Sequence, residues 1–279
     1  MRRLTVSLLN INQAQMTMSV LDQLAGLAGP AWATQMIVVD NGSTPDQQAL
    51  LLDWFGAHRD RFDEALLVMA SRNLGATGGR NIAFKLASGQ HILILDNDII
   101  LPADPAWLDI LWHKLEEDPR LGIVGPMLVF ANRPDVVQAT GAGLTDRGRV
   151  GYLNRGEPAD RISPGLIQVV ASPSACWLLR REAQQAVGLL SDEYYPVQYE
   201  DIDFCVRLGL VGWKIACECS CRVRHIENIT TRDLKQYPFD RLTVRQGMIF
   251  REKWAEVLPQ IATLTDQDIY WGPIPRVRD

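Results

Sequence analysis

The sequence contains no apolar run approaching the roughly 20 residues that a membrane-spanning helix requires. Its longest apolar stretches, such as Ile92 to Leu95, are of strand length. The opening Met1-Arg2-Arg3, followed by Leu4-Thr5-Val6-Ser7-Leu8-Leu9, has the charge order of a secretory leader. Asn10 and Asn12 interrupt it and no small-residue cleavage site follows, so no signal peptide is expected. Basic residues are in deficit: 28 Lys and Arg face 33 Asp and Glu, for a net charge of -5. A duplex-binding protein carries a basic field, so nucleic acid is excluded as the expected partner. Cysteine is sparse and odd in number, at five. Cys217, Cys219 and Cys221 alternate, which on a regular strand places all three on one face. No second pair at zinc-ligand spacing accompanies them, and reduced thiols on a half-buried strand are expected. No Pro/Gly/Ser linker and no internal repeat divides the chain.

What remains is an ordinary globular composition, 47% hydrophobic and 22% charged over 279 residues. A chain of that length buries about three quarters of its unfolded surface and needs no covalent staple.

The first hundred residues alternate two periodicities. Leu4 to Ile11, Gln35 to Asp40, Leu66 to Ala70 and His91 to Leu95 read as strands. Met16 to Leu27, a helix fed by Asn41-Gly42-Ser43-Thr44-Pro45, and Thr77 to Leu86 read as the helices between them. Thr44 suits a helix cap and Pro45 a first helical position. Strand–helix alternation of this kind predicts parallel βαβ units and an α/β sheet. The second half is less regular. Ala106 to Leu115, Glu200 to Leu210 and Leu242 to Val257 are expected helices. Leu121 to Phe130, Gly165 to Ala171, Trp213 to Cys217 and Cys221 to His225 are expected strands. Asn132 to Pro164 is expected to form loops or a hairpin over the site, and the chain beyond Pro259 a tail with Trp271, Pro273 and Pro275. One fused domain is expected, with residues 1–100 and 101–258 as its halves and 259–279 as the tail.

In open α/β sheets, ligands sit outside the carboxyl ends of the strands. Past the four early strands stand Asn10 and Asn12; Asp40, Asn41 and Ser43; Ser71, Arg72 and Asn73; and Asp96, Asn97 and Asp98. Four polar clusters on one sheet edge imply a built site. Asp96 and Asp98 suit a hard cation that takes oxygen ligands, and the same residue types also cap strand ends. A second acidic cluster, Glu200, Asp201 and Asp203, opens a helix, where the dipole favours carboxylates. Asp203 and Arg207 are spaced to pair on that helix, and one of the three carboxylates can face the sheet edge as a general base. His225, ending a strand, is of the type to complete a metal site begun by Asp96 and Asp98. Gly75-Ala76-Thr77-Gly78-Gly79 lacks the Lys-Ser/Thr of a P-loop, yet permits close backbone approach beside Arg72 and Arg80, either of which can meet a diphosphate.

Taken in order, Val38 to Thr44, Asn73 to Asn81, Leu95 to Asp98, Tyr199 to Arg207 and Gly212-Trp213-Lys214-Ile215 resemble the family 2 glycosyltransferases of the GT-A fold, in the branch with rhamnosyl- and galactofuranosyl-type enzymes. The resemblance covers roughly residues 4–225. It implies a mostly parallel central sheet flanked by helices, and an inverting hexosyl transfer from a nucleotide-diphosphate sugar to an acceptor hydroxyl. Asp40 would sit at the nucleoside, with Asn10, Asn12, Asn41, Arg72, Asn73, Gly75, Arg80, Asp96 and Asn97 around the donor. Asp96, Asn97 and Asp98 correspond to the metal motif, for Mn2+ or Mg2+, with Asp98 the direct ligand and His225 a further one. Asp201 would be the base, with Glu200 beside it. Two departures stand out: Asn10-Ile11-Asn12 where members often carry Thr-Tyr-Asn, and Gly79 where alanine is usual.

Two other classes share these features. A sugar nucleotidyltransferase would need a basic nucleotide-binding loop after the first strand, and Asn12 to Met18 has no Lys or Arg. A non-catalytic nucleotide- or sugar-binding module would not need both acidic clusters. For the acceptor, a saccharide or a lipid-linked sugar is expected. Arg222 to Lys253 carries eight basic against four acidic residues, a bias expected of a solvated helix face and also suited to a lipid-linked diphosphate or the inner face of a membrane approached from the cytoplasm. Six of eight tryptophans, Trp107, Trp112, Trp177, Trp213, Trp254 and Trp271, fall in the acceptor half, where most are expected to be core.

Overall fold

The computed structural model of the chain describes residues 2–25, 32–227 and 239–269. The last two residues of the expected Met16 to Leu27 helix, the tryptophan and prolines of the tail, and residues 228–238 of the basic segment lie outside the described residues. The alternating first half forms β1 (Arg2–Asn10), α1 (Ala14–Ala25), β2 (Trp32–Asp40), α2 (Pro45–His58), β3 (Glu64–Met69), α3 (Gly75–Leu86) and β4 (His91–Leu95). β3, β2, β1 and β4 lie side by side and all parallel.

The second half enters the same sheet. A two-residue strand β5 (Ile99–Ile100) and helix α4 (Ala106–Glu117) lead to β6 (Leu121–Phe130). Then come β7 (Arg133–Ala139), the hairpin β8 (Ala142–Leu144) and β9 (Val150–Tyr152), and β10 (Leu166–Val169). β11 (Cys176–Arg180) inserts antiparallel between β4 and β6. It is followed by α5 (Arg181–Val187), α6 (Glu200–Leu210), β12 (Lys214–His225), α7 (Phe239–Lys253) and α8 (Leu258–Ile261). The sheet runs β10-β12-β6-β11-β4-β1-β2-β3, with β5 on β12 and β7 on β6.

Side chains of β4 alternate between two cores: Leu93 and Leu95 pack with α1 and α4, Ile92 and Ile94 with α3 and α6. All five β4 residues are buried, so periodicity along it is invisible in the sequence. Each fully buried aliphatic side chain there contributes about 1.5–3 kcal/mol. Trp107, Trp112 and Trp177 are core residues as expected.

Three expectations are corrected. Trp213 to Cys217 and Cys221 to His225 belong to one strand, β12, interrupted by an irregularity. Its register against β6 jumps from Glu218 opposite Pro126 to Arg222 opposite Met127. Pro126 has no N–H to give the ladder, and bulges are where a strand tolerates proline. The interruption also separates the cysteines. Cys217 and Cys219 pack beside Met127 and Val129, whereas Cys221 turns to the other core and its thiol meets the Trp107 carbonyl. Finally, Thr44 precedes α2 but gives no side-chain capping bond; Pro45 does occupy the first turn. The central strand β11 had no counterpart in the sequence reading, because its apolar run, Cys176 to Leu179, is only four residues long and lies inside an irregular segment.

Candidate active site

The carboxyl ends of β1, β2 and β4 bring the first, second and fourth polar clusters together. Asn10 donates from Nδ2 to Asp40 Oδ1 (2.8 Å) and to Ser43 Oγ (3.1 Å). Asp40 also accepts from Gln48 Nε2 (2.8 Å) and the Ser43 amide (3.2 Å). Thr17 on α1 donates to Asn10 Oδ1 (2.8 Å) and accepts from Asn97 Nδ2 (3.0 Å), so one chain of bonds runs from β2 to the fourth cluster. Asn10, Thr17 and Asp40 are wholly buried and Asn97 nearly so. As the structure stands, these side chains brace the rim instead of reaching into it. Thr17 was missed in the sequence; its signal was a polar residue in phase with Ala14, Val20, Leu21 and Leu24 on the buried face of α1.

The third cluster is tied to the second. Asn41 donates to Asn73 Oδ1 (3.1 Å) and the Gly75 carbonyl (3.0 Å), and accepts from the Leu74 amide (2.9 Å). Gly42 and Gly75 both hold positive φ, +76° and +74°. A Cβ at Gly42 would lie 2.4 Å from the Arg72 carbonyl carbon, and one at Gly75 2.7 Å from the Pro196 oxygen, so only glycine fits either place. Asn12, also left-handed at φ 51°, accepts from the Thr44 amide and gives its own amide to Ser43. Arg72 is exposed at the rim. At Gly79 a Cβ would meet Leu9 Cδ1 at 2.3 Å; the Leu9 side chain takes the room an alanine would use.

Arg80 is placed differently from expectation. It is 7% exposed and points at carboxylates, with Asp96 Oδ1 and Ser174 Oγ each 2.5 Å away and Glu200 Oε1 at 3.6 Å. It therefore joins the two acidic clusters. Ser174, also missed in the sequence, gives its amide to Asp201 Oδ2 (3.2 Å), while the Ile202 amide holds Oδ1 (2.8 Å). Burial, with Asp201's charge next and Arg80 opposing, pushes Glu200 up to about 8. Burial likewise raises Asp96 and Asp201 against the pull of Arg80. Asp203 faces elsewhere. It is wholly buried and binds Arg207 (2.9 Å), Lys253 (3.0 Å), Trp254 (3.0 Å) and Tyr194 (3.3 Å). The Asp203–Arg207 pair is structural, as its spacing suggested.

Asp96, Asp98 and His225 form the one group of three potential metal ligands found among the described residues, with one donor atom from each within 4.8 Å of the others. The pairing of β5 with Arg224 and His225 zips the Asp98 loop onto the end of β12, and the Ile226 amide bonds the Asp98 carbonyl (2.8 Å). His225 Nδ1 lies 2.7 Å from Gln138 Oε1 and Nε2 lies 3.2 Å from Asp98 Oδ1. Apart from His225, that buried Asp98 oxygen has no partner. Burial opposes a charge on His225, but Asp98 and Asp96 together raise its pKa. Two carboxylates and an imidazole whose other nitrogen is already bonded fit a divalent cation such as Mn2+ or Mg2+.

No helix among the described residues is long and apolar enough to cross a membrane. The fold is shared with solved glycosyltransferases of the GT-A type. GalNAc-T7, in a crystal structure with UDP, GalNAc and Mn2+, is 13% identical with a TM-score of 0.73, over 92% of this chain and 49% of that one. TarS 1-349 of S. aureus with UDP is 18% identical with a TM-score of 0.61, over 95% and 68%. The mannosyltransferase PcManGT of Pyrobaculum calidifontis, with GDP-Man and Mn2+, is 19% identical with a TM-score of 0.54, over 78% and 57%. Among curated proteins, the O-antigen biosynthesis protein RfbC of Myxococcus xanthus is 30% identical over 211 residues, which is 71% of this chain and 15% of that protein. The uncharacterized protein y4gI of Sinorhizobium fredii is 28% identical over 79% of this chain and 24% of its own length. The chain thus spans less than a quarter of the curated relatives it matches. The family model for Glycosyl transferase family 2 matches residues 14–188, most of the chain, and with the GT-A sheet around it the chain belongs to that family.

Proposed function

We propose that the chain is a metal-dependent, inverting hexosyltransferase that moves a sugar from a nucleotide-diphosphate sugar to an acceptor hydroxyl. The carrying observation is that Asp96, at 2.5 Å, and Glu200, at 3.6 Å, share Arg80, which brings the Asp96/Asp98/His225 group next to the helix start that holds Asp201. Asp98, His225 and Asp96 would hold Mn2+ or Mg2+. Bound there, the cation would stabilise negative charge on the leaving diphosphate.

Asp201 is the base in this reading. Two backbone amides orient its carboxylate, and its raised pKa brings it nearer the working pH, where a general base is most effective. It takes the acceptor proton as the acceptor oxygen attacks the anomeric carbon from the face opposite the diphosphate. Glu200, held protonated by burial, adds no second full charge beside it. The braced rim from Asn10 to Ser43, with Asn12, Arg72, Asn73 and Gly75, would receive the nucleoside, residues 1–100 serving the donor and 101–258 the acceptor.

The acceptor is a saccharide or lipid-linked sugar in the synthesis of a bacterial polysaccharide, glycolipid or glycoconjugate, in keeping with the name of the RfbC relative. Exposed Val244 and Met248 beside Arg241 and Arg245 on α7 would suit peripheral contact with a cytoplasmic membrane face.

The test is Asp201→Asn. Transfer should fall at least about 100-fold while nucleotide-sugar binding is retained; full transfer by the variant would remove Asp201 from the mechanism. Undiminished turnover in chelator would remove the metal.

A further inference from the structure

Gln138 belongs to no motif, yet it lies behind His225. It stands on β7, is 3% exposed, and puts Oε1 2.7 Å from His225 Nδ1. β7 reaches this place through β6, whose Phe130 is the register partner of His225. An amide oxygen only accepts, so a ring that gives Nδ1–H to Gln138 offers its Nε2 lone pair to a cation; with no cation bound, the Asp98 carboxylate, 3.2 Å from Nε2, competes for the ring proton.

A second contact holds the same assembly. Arg155 bonds both oxygens of Glu227, at 2.8 and 3.1 Å, two residues after His225. The same guanidinium reaches the Gln138 carbonyl (3.4 Å) and stacks over Phe130 and Tyr152, 5.1 and 5.7 Å from the ring centroids. Asn154 ties the Arg155 turn to Thr140, next to the end of β7 (2.7 Å). One arginine thus fastens the ends of β7 and β12 to each other.

We propose that Gln138 is a positioning residue for His225, fixing the ring proton on Nδ1 and turning the bare Nε2 toward Asp98, with the Arg155–Glu227 pair clamping the two strands that carry them. Both the tautomer and the use of that nitrogen rest on the metal reading above. Outer partners of this kind orient a ligating imidazole, and their loss typically weakens metal binding by about 10–100-fold.

Two measurements on the full chain decide it. Nitrogen-15 NMR of histidine-labelled protein saturated with Mg2+ at alkaline pH should show His225 as the Nδ1–H tautomer; an Nε2–H ring overturns the proposal even if no variant folds. Mn2+ titration followed by electron paramagnetic resonance should show Gln138→Leu weakened by about 10–100-fold and Gln138→Glu, which keeps the acceptor, within a few-fold of wild type. A folded Gln138→Leu protein with wild-type affinity, or Gln138→Glu as weak as Gln138→Leu, also overturns it. Wild-type protein that binds neither Mn2+ nor Mg2+ would sink the metal reading and the role of Gln138 with it, whereas wild-type binding left unchanged in Gln138→Leu would sink the role of Gln138 alone.

Discussion

Arg80 reaches Asp96 from within the protein at 2.5 Å, and the same guanidinium lies 3.6 Å from Glu200. One buried cation therefore sits between two acidic clusters about a hundred residues apart in sequence. Asp203 is paired away with Arg207 and Lys253; among the described residues Asp96, Asp98 and Glu200 have only Arg80 and His225 as cationic partners, so the site is short of positive charge and suited to a cation.

Arg80→Met should remove this offset and leave buried carboxylates unpaired, a loss of about 3–5 kcal/mol. The loss should depend on pH. Glu200's pKa is raised in the folded state, so its favourable protonated form persists at low pH and is lost as pH rises through about 8. Urea denaturation should show a larger loss at pH 8.5 than at pH 5, where the Arg80–Asp96 contact is still broken but Glu200 is protonated. Equal losses at both values would contradict this account.

Asp203→Asn separates structure from catalysis. It takes a charge from a wholly buried group facing Lys253 and Arg207, and should cost about 3 kcal/mol. Turnover per folded molecule should stay within about twofold in a reaction where Asp201 is the base. A large fall in turnover with intact stability would reassign the base.

Metal affinity should tighten as pH rises. His225 must lose its proton to ligate, and its pKa is raised by Asp98 and Asp96 against burial. Mn2+ binding should therefore weaken as pH falls below that raised value, by up to about tenfold per unit. His225→Ala should bind more weakly and show a shallower slope, measured by calorimetry between pH 6 and 8.5.

Acid should destabilise the fold through His91. The ring is 5% exposed, lies 4.3 Å from Trp112, and is pushed down to about 4 by burial and then by Arg180. The unfolded chain takes up that proton near pH 6.5 and the folded chain does not, so stability falls as pH drops from about 6.5 to 4. The shift corresponds to about 3 kcal/mol. In His91→Phe the difference in unfolding free energy between pH 7 and pH 4 should shrink by about that amount.

The sequence by itself determined the βαβ order of the first half, because strand and helix periods alternate there and Gly75 and Pro45 mark their ends. It also determined the ordered motifs that place the chain in its family, and which carboxylates to watch. Only the tertiary structure decided their division of labour. Asp201 and Asp203 are two residues apart, yet the turn of α6 sends one to Ser174 and the other to Lys253. Arg80 and Arg72 looked alike as diphosphate ligands until burial set Arg80 against Asp96. The β12 bulge opposite Pro126 split three alternating cysteines between two cores, and Gln138 entered the site only through the β7–β6–β12 register. Motif spacing is a local property of the chain, whereas burial and pairing partners are fixed by segments a hundred residues away.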